Sequence, residues 1–536
     1  MTVRQFPFVA LGTAVLLAIL IQIPAFIQER DQRYRGVPIH LNSDEYVYFA
    51  RVEQALIGDG AHADNAFIAD RSVRGTQSAL LERMVGTLFR PTGWSVGTVL
   101  TVMDSVTIAF LFLALIWFLQ LCGFRRWYSY GGALAFCVIE FYNLNRPIHQ
   151  GLSFLLTLFA MAALVEGMNG RRWLGILGGA MLGLLVGVYF WAFTWIWLFF
   201  GLLALISLLF SRSKHIDIAW LVIFGVTGML TAFPFVIDAV RAASNQHFAE
   251  AVFRSGMHPG RLPESMPYSI LFTVMAGSVL WLIMRERESM RKHAAAAVII
   301  FTGFIAIHQQ LVHGQVFNFV SHYMFGLVLA ALCMVLLAVT IRKKVAIVVA
   351  AAAIVYLSAV AWDGRYVLSQ FRRLPERFHE QHLAGAFSAL STLPRATVLS
   401  DPRTSLGIAA YTHHDVVYAL YLKNLLLSHE QIAARYCLTQ LPVPPEERRI
   451  REQEWLVYPD ANSAFRDPAV REREVRMVEE ACAAMDRDPV ALITAYGPQY
   501  ILWDRKDHPE WNFDKMGVLV DSISKGEEWE ILRVIW

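Results

Sequence analysis

The sequence predicts an α-helical polytopic membrane protein with about 11 transmembrane helices, followed by a C-terminal α/β soluble domain. Of its 536 residues, 56% are hydrophobic, and the mean hydropathy is +0.43. Charged residues make up 17% of the chain, below the roughly 25% of soluble domains. Apolar runs of about membrane-spanning length recur as far as residue 362 and then stop. This pattern indicates an integral membrane protein with a soluble tail.

The apolar runs account for the predicted spans, each near the roughly 20 residues that a bilayer requires. They lie at about 8–27, 95–121, 128–144, 150–167, 173–190, 192–210, 216–237, 268–284, 294–312, 322–341 and 345–362. The first run, Phe8 to Phe26, is longer than a signal-peptide core and lacks a small-residue cleavage site after it, so it is predicted to be a retained span.

Basic residues in the short loops predict the orientation. Five alternate loops are basic, as cytoplasmic loops are, which places the N-terminus inside. These loops contain Arg125 and Arg126; Arg171 and Arg172; Arg212 and Lys214; Arg285, Arg287, Arg291 and Lys292; and Arg342, Lys343 and Lys344. The predicted organisation is a transmembrane domain, 1–362, with outer loops 28–94 and 238–267, and an outer domain, 363–536. The expected location is a bacterial inner (plasma) membrane, with the C-terminal domain periplasmic or extracellular.

The tail shows alternating strand and helix patterns. Strands are predicted at 396–401, 415–418 and 500–504, and helices at 374–391, 428–440 and 465–486, an alternation typical of a small α/β domain. Cys437 and Cys482 are the pair of cysteines outside the apolar runs, and a disulfide between them is one possibility. The net charge of +3 does not indicate a nucleic-acid-binding protein.

Two adjacent carboxylates, Asp44 and Glu45, begin a helical pattern directly after the first span. Tyr46, Phe49 and Leu56 form the apolar face of this helix. One interpretation is structural: Asn42 or Ser43 caps the helix, and the two acidic residues lie in its first turn, where negative charge stabilises a helix. The other interpretation is a catalytic carboxylate at a membrane surface.

Further polar and aromatic residues collect at the predicted outer ends of the spans. They occur in the segments 145–150, 189–195, 308–310 and 321–323, and in the loop 238–267. Interfacial aromatic belts and snorkelling cations account for such residues without any function. A transporter is expected to place ionisable groups near the midplane instead, where Asp104 and Glu140 are the main acidic candidates.

Taken together, the acidic pair Asp44-Glu45 in the first outer loop, the interfacial helices of that loop and the multi-span body with an outer domain resemble the GT-C superfamily of membrane glycosyltransferases. This superfamily includes protein O-mannosyltransferases, the lipid A aminoarabinose transferase and the oligosaccharyltransferase catalytic subunit. The resemblance implies a sugar transferred from a polyprenyl-phosphate donor to a glycan, lipid or protein acceptor at the membrane. It also implies that Asp44 is the general base, with Glu45 beside it.

The other candidate residues are those suited to bind the donor phosphate or the sugar. They are Arg51, Arg146, His149, Gln150, Tyr189, Arg254, His258, His322 and Tyr323. No Asp-x-Asp or Glu-x-Asp motif occurs in the second outer loop, which favours the metal-independent branch, so no cofactor is predicted and a divalent metal stays an open alternative. The rival functions are an O-antigen polymerase or ligase, and a non-catalytic membrane scaffold or a transporter. Convergence of Asp44, Arg146, His258 and His322 on one cavity would favour the transferase.

Overall fold

A computed structural model describes residues 6–40, 44–59, 63–144, 148–210, 214–263, 265–317, 320–371 and 375–535. The chain forms two compact units. The first, called the membrane unit, comprises Met1–Pro24, Thr101–Asp238 and Pro259–Arg373. The second, called the outer unit, comprises Ala25–Leu100, Ala239–His258 and Leu374–Trp536. The first outer loop and part of the second therefore belong to the same compact unit as the tail.

Nine helices in the described residues are long and apolar enough to cross a membrane, which confirms the predicted polytopic helical fold. They are Phe6–Glu29, Val96–Leu121, Gln150–Met168, Phe190–Leu208, Ile218–Ala243, Met266–Arg285, Ala294–His313, Met324–Ile341 and Lys344–Gly364. The other two predicted spans correspond to the shorter helices Arg126–Ile139 and Arg172–Leu184. The last helix continues to Phe371, past the predicted boundary at residue 362. Short helices Phe141–Leu144 and Arg287–Lys292 connect the longer ones, and the span Ala294–His313 consists of the helices Ala294–His308 and Gln310–His313.

Small residues let the helices of the membrane unit approach one another closely. A Cβ atom added to Gly167 would lie 2.4 Å from Cα of Gly175, and one added to Gly183 would lie 2.3 Å from the carbonyl oxygen of Gly228. Backbones can meet at such distances only where side chains are absent, a device common between membrane helices.

The outer unit contains most of the β-structure. Two three-residue strands, Met257–Pro259 (β1) and Gln315–Phe317 (β2), precede a five-stranded sheet of order β4-β3-β5-β7-β6. Its strands are Thr397–Leu399 (β3), Asp415–Val416 (β4), Tyr500–Asp504 (β5), Leu519–Lys525 (β6) and Trp529–Ile535 (β7). Strand β3 pairs parallel with β4 and β5, whereas β7 pairs antiparallel with β5 and β6. The predicted α/β domain is confirmed, and the final hairpin is an addition to the sequence prediction.

The helices of the outer unit come from all three of its segments. They are Glu45–Leu56, Leu80–Phe89, Phe248–Arg254, Ala384–Ser391, Pro402–Tyr411, His429–Gln440, Pro468–Arg487 and Pro489–Tyr496. A disulfide between Cys437 and Cys482 joins the helices His429–Gln440 and Pro468–Arg487.

Ion pairs join the first loop to the tail within the outer unit. The Arg71 guanidinium lies 2.7 Å from the Asp415 carboxylate, and that of Arg395 lies 2.6 Å from the Asp59 carboxylate. Arg71 and Asp59 belong to the first loop, and Arg395 and Asp415 flank or begin strands of the tail. The loop and the tail therefore fold as one structure.

Candidate active site

The acidic pair of the first outer loop lies at the start of the helix Glu45–Leu56. Asp44 occupies the N-cap position, with φ −61° and ψ −23°, but its side chain makes no capping hydrogen bond. The hydroxyl of Tyr421 instead donates a hydrogen bond of 2.7 Å to Oδ1 of Asp44. The Asp44 side chain therefore does not cap this helix by a hydrogen bond, and the predicted caps Asn42 and Ser43 lie outside the described residues.

Tyr421 is placed at Asp44 by a tail segment that several groups hold in position. The backbone N–H of Thr76 donates to the Asn424 carbonyl at 2.8 Å, and that of Leu426 donates to the Arg74 carbonyl at 2.8 Å. These backbone pairs fix the residues that follow Tyr421, so its position depends on the fold of both segments.

Arg254 holds the same tail segment from the second outer loop. Its buried guanidinium donates to the carbonyl oxygens of Lys423, Leu425 and Leu427 at 3.1, 2.8 and 2.8 Å. Burial lowers the pKa of Arg254 to about 10, which still leaves the side chain cationic near neutral pH. These contacts give Arg254 a positioning role toward Tyr421, and its predicted phosphate contact stays a prediction.

Glu45 points into the outer unit and is 4% exposed. Nδ1 of His40 hydrogen-bonds its carboxylate at 3.1 Å, and Nε2 of His40 hydrogen-bonds the Tyr411 hydroxyl. The ring of His40 also packs edge-on against Tyr46 and Phe49, with centroid distances of 4.2 and 4.6 Å. The two neighbouring carboxylates thus have different surroundings. Glu45 is buried and linked through His40 to Tyr411 by hydrogen bonds, whereas Asp44 is half-buried.

Arg51 lies two turns further along the same helix and is also buried. Its guanidinium donates to the fully buried Glu82 carboxylate at 2.8 Å and to the side-chain oxygen of Gln77 at 3.3 Å. This ion pair joins the helices Glu45–Leu56 and Leu80–Phe89. The structure therefore shows a contact inside the outer unit for Arg51, and its predicted contact with substrate stays a prediction.

His258 is half-buried at the end of the second outer loop. Its Nδ1 atom is buried and has no hydrogen-bond partner among the described residues. It is a buried polar atom that the described residues leave without a hydrogen bond.

Four predicted residues come together in the membrane unit. Gln150, Tyr189, His322 and Tyr323 line one small cavity of about 30 Å³, enough for one or two water molecules. The hydroxyl of Tyr189 hydrogen-bonds Nδ1 of His322. The cluster therefore joins the turn before the helix Phe190–Phe210 to the segment that precedes Met324–Ile341.

Tryptophan rings enclose this cavity. Trp191 packs edge-on against Tyr323 with a centroid distance of 4.8 Å, and it also contacts the ring of His322. The Tyr323 hydroxyl hydrogen-bonds Oγ1 of Thr194 at 2.6 Å. The buried Nε1 atom of Trp195, a donor, has no partner among the described residues.

Two predicted residues cannot be placed in either cluster. Arg146 lies outside the described residues, as do Asn42 and Ser43. The backbone of His149 begins the helix His149–Met168, but its side chain is outside the described part.

Three residues near the acidic pair were missed by the sequence analysis. His40 lies five residues before Glu45, so a buried partner there could have been suspected from proximity. Tyr411 and Tyr421 are 371 and 377 residues from their partners in the sequence, and no local pattern indicates them. Among the described residues, no group of three or more His, Cys, Asp or Glu side chains is arranged to hold a metal ion.

Comparison with known proteins gives structural but no sequence matches. No protein-family model matches the chain, and neither does any curated protein. The oligosaccharyltransferase of Archaeoglobus fulgidus is similar at 11% identity and a TM-score of 0.48, over 94% of this chain and 70% of that one. ArnT from Cupriavidus metallidurans, solved bound to undecaprenyl phosphate, is similar at 11% identity and a TM-score of 0.45, over 97% of this chain and 98% of that one. The mycobacterial arabinofuranosyltransferase AftD is similar at 14% identity and a TM-score of 0.43, over 100% of this chain and 40% of that one.

Proposed function

We propose that the protein is a membrane glycosyltransferase that moves a sugar from a polyprenyl-phosphate donor to an acceptor on the outer face of the membrane, with Asp44 as general base. The observation that carries this proposal is the Asp44 side chain. It caps no helix and is oriented by a hydroxyl from a distant part of the chain.

The chemistry requires a positioned carboxylate. An acceptor hydroxyl is a weak nucleophile, and a carboxylate that takes its proton while the anomeric carbon is attacked makes it effective. The hydrogen bond from Tyr421 to Oδ1 holds the Asp44 carboxylate in one orientation, which a general base requires. Glu45, held by His40, supports the start of the helix and so orients its neighbour.

The donor phosphate requires hydrogen-bond donors, because negative charge develops on the leaving group. Arg146, His149 and His258 are the proposed contacts, together with the cluster of Gln150, Tyr189, His322 and Tyr323 in the membrane unit. The guanidinium of Arg254 donates hydrogen bonds to backbone carbonyls, and that of Arg51 forms an ion pair with Glu82. Both arginines are therefore proposed to position other groups. No cofactor is part of the proposed reaction, and a divalent metal stays the open alternative.

The proposed location is a bacterial inner membrane, with the outer unit on the external face. Two independent observations support this orientation. Five basic loops mark the opposite face as cytoplasmic. The disulfide between Cys437 and Cys482 is of a kind that persists in oxidising compartments.

Replacement of Asp44 by asparagine tests the proposal. The change keeps the size of the side chain but removes the proton acceptor, so transfer should fall by roughly 100- to 10,000-fold. Transfer of a radiolabelled sugar from polyprenyl phosphate is measured with purified protein in nanodiscs. A helix cap would tolerate the change, because asparagine caps nearly as well as aspartate.

Three further variants separate the possible roles. Glu45→Gln should lose less activity than Asp44→Asn, because Glu45 acts through His40 and the helix start. Tyr421→Phe should lose about 10- to 100-fold in transfer, the usual value of a hydrogen bond to a charged group. Asp70→Asn makes the same change at an exposed carboxylate of the outer unit and should leave transfer unchanged. Near-normal turnover by a folded Asp44→Asn protein would refute the proposal.

A further inference from the structure

A cavity with a volume of about 690 Å³ lies wholly within the outer unit. Residues from the segment 35–97 form most of its wall, and the helix Ala384–Ser391 and Tyr411 complete it. This volume falls in the range of small-molecule binding sites, roughly 300 to 1,000 Å³. None of the candidate residues predicted from the sequence lines this cavity.

Three charged side chains line this cavity: Arg35, Glu53 and Arg90. Within the described part of the chain, none of these three side chains takes part in a hydrogen bond or an ion pair. By contrast, Arg51 and Arg71 of the same unit are paired with carboxylates. Two guanidinium groups and one carboxylate thus line the same cavity, and their side chains have no hydrogen-bond or ion-pair partner among the described residues.

The environment of Glu53 differs from that of the two arginines. Burial raises the pKa of Glu53, whereas Arg35 and Arg90 are exposed. A carboxylate in this position is a good acceptor for hydroxyl groups, and two exposed guanidinium groups suit an anion with several oxygen atoms.

The remaining wall combines aromatic rings and hydroxyl groups. Trp94, Phe387 and Tyr411 supply rings, and Ser95, Ser388 and Ser391 supply hydroxyls. Trp94 is 44% exposed, so part of its indole is open to a ligand. Apolar faces with a few convergent polar groups are typical of ligand sites.

The absence of a side chain at Gly58 leaves room for the guanidinium of Arg90. A Cβ atom added to Gly58 would lie 2.5 Å from Nη1 and Nη2 of Arg90, and Gly58 has a φ of +81°. The head group of Arg90 therefore rests against the backbone that follows the helix Glu45–Leu56. Any larger residue at position 58 would displace it.

We propose that this cavity binds a phosphorylated sugar, with Arg35 and Arg90 on the phosphate oxygens and Glu53 accepting hydrogen bonds from sugar hydroxyls. Glu53 lies nine residues after Asp44 on the same helix, roughly 13 Å along its axis. The cavity is therefore a subsite for a unit of the acceptor that is not the reacting one, roughly 13 Å from Asp44 along the helix. That role rests on the proposed function, whereas binding of the phosphorylated sugar does not.

Isothermal titration of the full chain in nanodiscs with glucose 6-phosphate tests the proposal. The wild type should bind it more tightly than methyl glucoside, which lacks the phosphate, and more tightly than inorganic phosphate, which lacks the sugar. Arg35→Gln and Arg90→Gln should each weaken binding of glucose 6-phosphate by about 10- to 100-fold, since each removes a charge-assisted contact. Both side chains are exposed and unpaired, so these variants should keep the thermal stability of the wild type.

Glu53→Gln separates sugar recognition from simple attraction of an anion. The variant should bind glucose 6-phosphate several-fold more weakly, because the neutral amide oxygen of glutamine accepts weaker hydrogen bonds from sugar hydroxyls than a carboxylate does. It should bind inorganic phosphate as well as or better than the wild type, because a negative charge is removed. A gain for both ligands would show that Glu53 contacts no sugar and would overturn its assigned role.

Gly58→Ala should weaken binding by displacing Arg90, with Gly497→Ala as the matched control. Gly497 also has a positive φ, +53°, but its nearest neighbour is 4.0 Å from the added methyl group, and it is not part of the cavity wall. Equal loss of binding in both variants would show that backbone strain, rather than the position of Arg90, is the cause.

The source of the phosphorylated sugar is identified by competition. Displacement of glucose 6-phosphate by a polyprenyl-phosphate sugar in the nanodisc would assign the site to a lipid headgroup, and absence of displacement would assign it to a glycan. Absence of glucose 6-phosphate binding to the wild type, or equal binding by the Arg35→Gln/Arg90→Gln double variant, would overturn the proposal. Asp44→Asn should bind normally and lose transfer, so failure of the proposed function is distinguishable from failure of this site.

Discussion

Replacing Arg51 by methionine should destabilise the outer unit strongly, because it leaves a carboxylate buried without its cation. The side chains of Arg51 and Glu82 are 1% and 0% exposed, and their charged atoms are 2.8 Å apart. Methionine fills much of the volume of arginine but cannot donate a hydrogen bond. Glu82 must then remain charged in a poorly solvating environment or bind a proton, and both cost free energy.

The expected magnitude follows from the burial of the pair. Removing one partner of a fully buried ion pair costs about 3–5 kcal/mol of unfolding free energy. For a unit of about 260 residues, each kcal/mol lowers the melting temperature by roughly 2–4 °C. The melting temperature of Arg51→Met should therefore fall by about 6–20 °C. The double variant Arg51→Met/Glu82→Leu removes both charges and should recover most of this loss, since buried ion pairs are often replaceable by apolar residues.

Thermal unfolding of the wild type, both single variants and the double variant in one detergent measures the coupling as a double-mutant cycle. Glu82→Leu alone should also be destabilising, because it leaves the Arg51 cation buried. If Arg51→Met melts within about 2 °C of the wild type, the reasoning from burial is wrong. If it melts normally and binds the donor poorly, Arg51 contacts substrate, as the sequence predicted.

Three other predictions concern the outer unit. Loss of the 45-residue disulfide loop in Cys437→Ser or Cys482→Ser should cost about 4 kcal/mol of stability, and reducing agent should lower the melting temperature of the wild type but not of either variant. Burial opposes protonation of His382, but its hydrogen bonds to Asp504 raise the pKa of His382 above 6.5 and hold that of Asp504 below 3.8. The pair therefore stabilises fully between about pH 4 and 6.5, and its contribution falls as pH rises through the raised pKa of His382 or drops through the lowered pKa of Asp504. The stability difference between wild type and Asp504→Asn should be larger at pH 5.5 than at pH 9, and an equal difference would contradict the linkage. A reporter that works only in the cytoplasm, fused after Trp536, should stay silent, whereas activity would reverse the proposed orientation.

Much of the fold was predictable because it depends on short-range patterns. The membrane helices follow from runs of apolar residues, since a bilayer requires each span to satisfy its backbone hydrogen bonds within itself. The strands Thr397–Leu399 and Tyr500–Asp504 and the helix His429–Gln440 follow from local periodicity. The final hairpin was missed, because β6 carries polar and exposed residues in place of a clear alternation of apolar and polar ones.

The candidate site was only partly predictable, because its partners come from distant segments. Asp44 and Glu45 stand out locally, but only the fold gives one carboxylate the hydroxyl of Tyr421 and the other the ring of His40. Periodicity also could not show that Arg51 faces Glu82.

The sequence by itself determined that this is a multi-pass membrane protein with an acidic helix start in its first loop and a separate α/β tail region. Hydropathy and backbone hydrogen bonding act over stretches of about twenty residues, so a linear pattern is enough for these features. Only the tertiary structure decided that the first outer loop and part of the second fold with the tail, and that Arg35, Glu53 and Arg90 line one cavity. Pairing of charges and shaping of cavities depend on which distant segments meet, and that is a property of packing rather than of local sequence.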